Sequence, residues 1–236
     1  MKLLRSLLFE LRIYLGNYPF LFFNLYGLKK KNKKLFIKND TELVIAAYPR
    51  TGNTFFVVAL QYIQKQPISI AHHLHVPALA LEGVKRKLPV VVLIRNPKDA
   101  IVSLLIRETH ISIDQALRAY IQFHEPLIKD KENILVIGFD QFTEDFQTAV
   151  SCINSRFNLN LDNYTKKDPF NKELVFNEIE NINKTFNKNK LVETMVSRPS
   201  DSRRKAKELN LKLLEQNKYK TKLDECIDIY DELISR

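Results

Sequence analysis

Three short unbroken apolar runs punctuate the chain: residues 43–48 (LVIAAY), 89–94 (PVVVLI) and 134–139 (ILVIGF). Each is too short for a helix and rich in β-branched residues, so each predicts a strand buried on both faces. Pro49 and Gly52 end the first run, and residues 53–64 then carry helical spacing. Asn96-Pro97 ends the second and leads into a helical stretch over 98–107. After the third, Thr143 with Glu144 and Asp145 predicts a helix start for Phe146, Ala149, Val150, Ile153 and Phe157. Ser112 and Gln115 form a capping box that opens a further helix toward Asp130. Strands alternating with helices predict an α/β fold, a three-layer sandwich around a central parallel sheet with right-handed crossovers.

The two ends have a different pattern. Leu4, Leu8, Leu11 and Leu15 make a helical stripe interrupted by Lys2, Arg5, Glu10 and Arg12, which predicts an amphipathic helix. Residues 13–28 are mostly apolar, but Asn17, Pro19 and Asn24 break them, and they fall short of the roughly 20 residues a bilayer crossing needs. With Arg12 inside the segment and no small-residue cleavage pattern before the lysines, a removable leader is not expected. Residues 1–40 are therefore expected to form a basic amphipathic segment packed on the domain, with peripheral membrane contact as the alternative. Toward the other end, Val175, Ile179, Ile182 and Phe186 share one helical face, as do Leu223, Ile227, Tyr230 and Ile234. The intervening residues 197–204 (SRPSDSRR) read as an arginine-bearing loop suited to cover an anion. No internal repeat separates these parts, so residues 41–236 are expected to be one domain.

Composition narrows the function classes. Of 236 residues, 45% are apolar and 27% charged, which excludes both a multi-span membrane protein and a disordered chain. Two distant cysteines, Cys152 and Cys226, indicate neither a disulfide framework nor a thiolate metal site, so a reducing, cytoplasmic setting is the expectation. The net charge of +10 favours anionic partners. It is concentrated in runs such as Lys29 to Lys34, and no nucleic-acid reader motif accompanies it, so no nucleic-acid partner is expected.

Two segments at strand ends carry chemistry. Tyr48-Pro49-Arg50-Thr51-Gly52-Asn53-Thr54-Phe55 is a turn feeding a helix, where backbone N–H groups and the helix dipole gather a phosphate. Against the pattern G-x-x-x-x-G-K-[ST], Ala47 replaces the first glycine, Gly52 matches the second, Asn53 replaces the lysine and Thr54 supplies the hydroxyl. Loss of that lysine argues against a P-loop nucleoside kinase, although Arg50 still offers a cation. In Arg95-Asn96-Pro97-Lys98-Asp99, Arg95 lies at the carboxyl end of its strand, and Ser103 follows Asp99 by one helical turn, able to share an anion with Arg95. The competing reading pairs Arg95 with Asp99. Between the two segments, His72, His73 and His75 are candidate bases. His73 and His75 would point the same way on a strand, but no Cys or carboxylate pattern completes a metal set, so no metal is expected.

Together YPRTGNTF and RNPKDAIVS resemble the donor-binding elements of the sulfotransferases that use 3'-phosphoadenosine 5'-phosphosulfate, a likeness spanning most of residues 43–140. The resemblance implies a P-loop-like nucleotide-binding fold in which Arg50, Thr51, Gly52, Asn53, Thr54 and Phe55 surround the 5'-phosphosulfate while Arg95 and Ser103 hold the 3'-phosphate. It implies a histidine general base, with His73 the best match by spacing and His72 and His75 as competitors, and a late basic loop in which Arg198 is the first choice for reaching the donor. It further implies transfer of a sulfuryl group to a small-molecule, glycan or lipid acceptor, with adenosine 3',5'-bisphosphate released. A non-catalytic nucleotide-binding or nucleic-acid-binding module is the rival outside catalysis.

Overall fold

The computed structural model describes residues 2–29, 33, 35–164, 170–186 and 201–235, with the side chains of 183–186 and 201–203 excepted. Four parallel strands form the sheet: β1 (Leu43–Ala47), β2 (Ile70–Ala71), β3 (Val90–Ile94) and β4 (Leu135–Gly138), in the order β2-β1-β3-β4. Ala47 lies opposite Leu93, and Ile94 opposite Gly138, so the three longer strands end nearly level. The three sequence-predicted strands are all present. β2 is two residues long and carries no apolar run by which to find it.

Period-two alternation divides the strand side chains between two cores. Val44, Ala46, Val90, Val92 and Ile94 face one side. There they meet α4 (Ala78–Lys85), α5 (Pro97–Arg107), α6 (Ile113–Ile128) and α11 (Asn217–Ile234), with Leu214 of α10 (Asp201–Leu214) at the margin. Leu43, Ile45, Val91, Leu93 and Ile137 face the other side. Those residues pack on α3 (Asn53–Ile63), α7 (Phe139–Glu144), α8 (Phe146–Phe157) and α9 (Lys172–Phe186). The result is the predicted three-layer α/β arrangement.

One topological detail positions everything that follows. The helix after β1, α3, lies on one face of the sheet, whereas the helix after the adjacent β3, α5, lies on the other. Neighbouring parallel strands whose connections leave in opposite directions open a crevice at their carboxyl ends, where open α/β sheets receive ligands.

Local signals determine several boundaries. Asn96 Oδ1 accepts from Lys98 N–H at 3.0 Å and Pro97 occupies the first turn of α5. Both halves of the Ser112–Gln115 capping box are formed. Elsewhere the expectation needs correction. Thr143 and Glu144 close α7, and Asp145 is the cap of α8, accepting from Thr148 N–H at 3.0 Å. Residues 201–204, expected in a loop, open α10. On α11 the buried positions are Leu223, Cys226, Ile229 and Leu233, while Ile234 is exposed, so the inward face is turned from the predicted stripe. Buried Cys226 is free, its thiol pushed up to about 12 by burial.

The first two helices, α1 (Lys2–Leu15) and α2 (Pro19–Tyr26), dock through Ile13 and Phe22, which are buried in the first core, as is Ile37. The predicted leucine stripe is not the docking face. Leu4, Leu8 and Leu11 are exposed, because Phe9 and Ile13 pack inward and polar ties from Ser6 to Gln115 and from Glu10 to Arg118 set the rotation of α1.

Candidate active site

The crevice at the carboxyl ends of β1 and β3 is a cleft of about 920 Å³. Eight sequence-predicted candidates line it: Arg50, Gly52, Asn53, Thr54, Phe55, His73, His75 and Arg95. Ser103 stands immediately behind, its Oγ accepting from Arg50 Nε at 3.1 Å. Thr51 turns inward instead, fully buried, donating its hydroxyl to Tyr48 O at 2.7 Å. Arg198 lies outside the described residues.

The β1 turn is shaped by two left-handed residues on either side of Thr51, Arg50 with φ 71° and Gly52 with φ 81°. At Gly52 a glycine is needed twice over, because a Cβ there would come within 2.7 Å of Phe142 Cζ. The turn delivers the chain into α3 with no side chain capping its first turn, and the first intrahelical bond runs from Phe56 N–H to Gly52 O at 2.9 Å. The N–H groups of residues 53–55 therefore lie outside the helical ladder at the positive end of the helix dipole. Asn53 is buried beside them, and neither its Oδ1 nor its Nδ2 has a hydrogen-bond partner among the described residues. An orphaned buried amide facing a cleft is costly unless a ligand engages it.

Arg95 joins the second strand end to the first. It donates to Arg50 O at 3.1 Å, its guanidinium lies 4.1 Å from the centre of the Phe139 ring, and Tyr120 Oη donates to Arg95 O at 2.9 Å. Backbone, plane and donor direction are thus all constrained. Asp99 pairs with Lys207 at 2.7 Å rather than serving as the partner of Arg95. Burial lowers the pKa of Arg95, opposed by the carboxylates of Asp99 and Asp140, as for a cation partly withdrawn from water.

The histidines do not sit on a strand as expected. β2 stops at Ala71, and His73 (φ 65°) and His75 (φ 50°) are both left-handed, which turns their rings into the cleft. Burial is the main cause of their low basicity. His73 is lowered to about 3, with His72 and His75 adding, and His75 to about 4, with Arg12, Arg50 and Arg107 adding against a bond to Ala47. Both imidazoles are neutral near pH 7.

Their hydrogen bonds differ. His73 Nε2 is 3.0 Å from Thr54 Oγ1 and its Nδ1 meets His72 Nδ1, so both nitrogens are engaged. His75 Nδ1 is 2.9 Å from Ala47 O. A carbonyl only accepts, so Nδ1 of His75 carries the proton and Nε2 carries the lone pair.

Three further parts of the lining were not found from sequence. Arg5, Leu8, Phe9 and Arg12 of α1 form one wall, and Arg12 donates to Leu74 O while its buried Nε has no partner among the described residues. Arg107, Glu108 and His110 border the end of α5, and Lys172 and Phe176 approach from α9. These residues come from elements far apart in the chain, with no local motif to mark them. The lining holds Arg5, Arg12, Arg50, Arg95, Arg107 and Lys172 against Glu108 alone, and that carboxylate is near Arg107 and His110. Such a cleft suits a ligand with several negative charges and contains a neutral base.

No family model matches the chain, and no curated protein matches it. Among solved structures the chain is similar to mouse sulfotransferase SULT7A1 complexed with PAP, at 13% identity over 82% of this chain and 87% of that chain, with a TM-score of 0.47. A likeness of this degree carries no weight for the chemistry of the cleft.

Proposed function

We propose that this protein transfers a sulfuryl group from 3'-phosphoadenosine 5'-phosphosulfate to a hydroxyl or amine acceptor. The observation that carries the proposal is the hydrogen-bonded unit across the crevice: Arg95 donates to Arg50 O, and Arg50 Nε donates to Ser103 Oγ. One strand end offers N–H groups and Asn53, the other offers a partly desolvated guanidinium, and a donor with separate anionic groups at its two ends answers both. The orphaned amide of Asn53 and the excess of cations fit such a donor. With Asn53 where an ATP-binding loop carries lysine, ATP is the poorer match.

In this reading Arg50 and the N–H groups of residues 53–55 favour charge that builds on the sulfuryl oxygens and the departing phosphate. His75 is the base. Its Nε2 takes the acceptor proton while the acceptor oxygen or nitrogen bonds to sulfur and the bond from sulfur to the bridging phosphate oxygen breaks, releasing adenosine 3',5'-bisphosphate. His73, with both nitrogens engaged, orients Thr54 and the turn.

Calorimetry with adenosine 3',5'-bisphosphate and ATP tests the donor. The bisphosphate is expected to bind the wild-type chain well ahead of ATP, and Arg95→Ala to weaken it by about tenfold or more, the scale of one charged hydrogen bond. Equal affinity in Arg95→Ala, or preference for ATP, rejects the proposal.

A further inference from the structure

With Phe9 and Ile13 turned inward, the opposite side of α1 has nothing to cover it among the described residues. Leu3, Leu4, Leu7, Leu8, Leu11 and Tyr14 are all exposed, and they fall within an arc of about 140° on a helical wheel. α2 repeats the arrangement. Phe22 is buried, while Phe20, Leu21, Leu25 and, just beyond the helix, Leu28 are exposed on one side, Phe20 by 79% and Leu28 by 80%. The Tyr14 and Tyr18 rings, 5.5 Å apart at the turn between the helices, join the two surfaces. Eleven large apolar or aromatic side chains presented together exceed what an isolated protein surface carries without a use.

Charge identifies the occupant. Residues 1–34 contain eight Lys and Arg and a single acidic residue, Glu10. Glu10 is neutralised by Arg118 of α6, and among the described residues exposed Lys2, Arg5, Lys29 and Lys33 flank the apolar positions, so the surface has a cationic border. A second copy would set two such borders against each other, whereas an anionic lipid surface complements the cations and receives the apolar side chains. No helix among the described residues is long and apolar enough to cross a membrane, so the geometry is that of a helix pair lying in the interface. Tyrosines at such a level match the polar–apolar boundary.

The same helix walls the cleft. Arg5, Phe9 and Arg12 line it, and Leu8 belongs to both the lining and the exposed arc. We propose that the α1–α2 surface seats the protein on an anionic bilayer and holds the cleft at headgroup level, so that the acceptor is a hydroxyl carried by a lipid. The acceptor clause rests on the sulfuryl-transfer reading; the docking itself does not.

The test uses the full chain with vesicles of phosphatidylcholine alone or with roughly one-third phosphatidylglycerol, in flotation at low and high salt. The wild-type chain is expected to float with the anionic vesicles, less so at high salt. The triple variant Leu3→Glu, Leu7→Glu, Phe20→Glu should lose vesicle binding about tenfold or more through lost apolar insertion. Lys29→Glu with Lys33→Glu, which leaves both helices untouched, should weaken binding to the anionic vesicles alone. Binding of adenosine 3',5'-bisphosphate should be unchanged in both variants. A wild-type chain that floats with neither vesicle, or forms a dimer that the triple variant dissociates, overturns the docking. Vesicle binding without bisphosphate binding sustains the docking and rejects the donor reading. With labelled donor, label extracted with the phosphatidylglycerol supports a lipid acceptor, and label that passes only to water-soluble alcohols overturns it.

Discussion

Arg50, His73 and His75 are three non-glycine residues in the left-handed region, and all three face one cleft. Such conformations cost on the order of 1 to 3 kcal/mol each and persist only where the surroundings over-determine them. Here Ser103 and Ala47 O are among the groups that hold them. The two histidines make separable predictions. His75→Ala is expected to lower turnover by about 10²- to 10⁴-fold with bisphosphate affinity in calorimetry nearly unchanged, as for loss of a base. His73→Ala should instead weaken donor binding together with turnover, because it releases Thr54 at the mouth of α3; a larger turnover loss in His73→Ala with donor affinity intact would move the base to His73. Spacing in AHHLHVP points by resemblance to His73, and the reading of His75 as the base departs from it. What distinguishes them is which nitrogen faces a backbone carbonyl, and that carbonyl belongs to β1, 28 residues away.

At the scale of elements, the sequence was legible wherever a short-range rule decides the structure. Asn96 before Pro97 and the Ser112–Gln115 pair act within a few residues of themselves, and both helix starts form as the pattern predicts. Ser112→Ala should remove the side-chain acceptor for Gln115 N–H and cost about 1 kcal/mol in urea unfolding, with donor binding unchanged. Where two starts compete, the pattern misled. Thr143 and Asp145 both suit a cap, and the choice of Asp145 follows from α7 packing Phe142 into the second core. α1 is the plainest case. Leucine recurs on one side and Phe9 and Ile13 on another, and only contact with Gln115 and Arg118 of α6 determines which side turns inward.

Across the whole molecule, burial of neutral histidines ties stability to pH. His73 and His124 are lowered to about 3 and His75 to about 4, chiefly by burial. In the unfolded chain all three titrate near 6.5, so below that pH the unfolded state binds protons that the folded state refuses. Stability contributed by neutral burial is therefore present above about pH 6.5 and declines as the pH falls toward 3 to 4, by up to about 1.4 kcal/mol per histidine per pH unit. Urea midpoints taken between pH 7 and 4 should fall. Replacing fully buried His124 with Gln should flatten that fall whatever it does to the stability at pH 7, and an unchanged slope would contradict the assignment.

Read by itself, the chain determined its three longer strands, the helices that follow them, the order of the turns after β1 and β3 and the presence of histidines between them. Each depends on residues close in sequence, through alternation, capping and turn geometry. Tertiary structure decided what those signals cannot carry: that α3 and α5 leave the sheet on opposite faces and open a crevice, that Arg95 reaches Arg50 O, that β1 selects the tautomer of His75, and that α1 contributes both a wall of the cleft and an uncovered apolar surface. These are contacts between segments distant along the chain, where the free energy depends on which surfaces meet, and no local pattern encodes the partner.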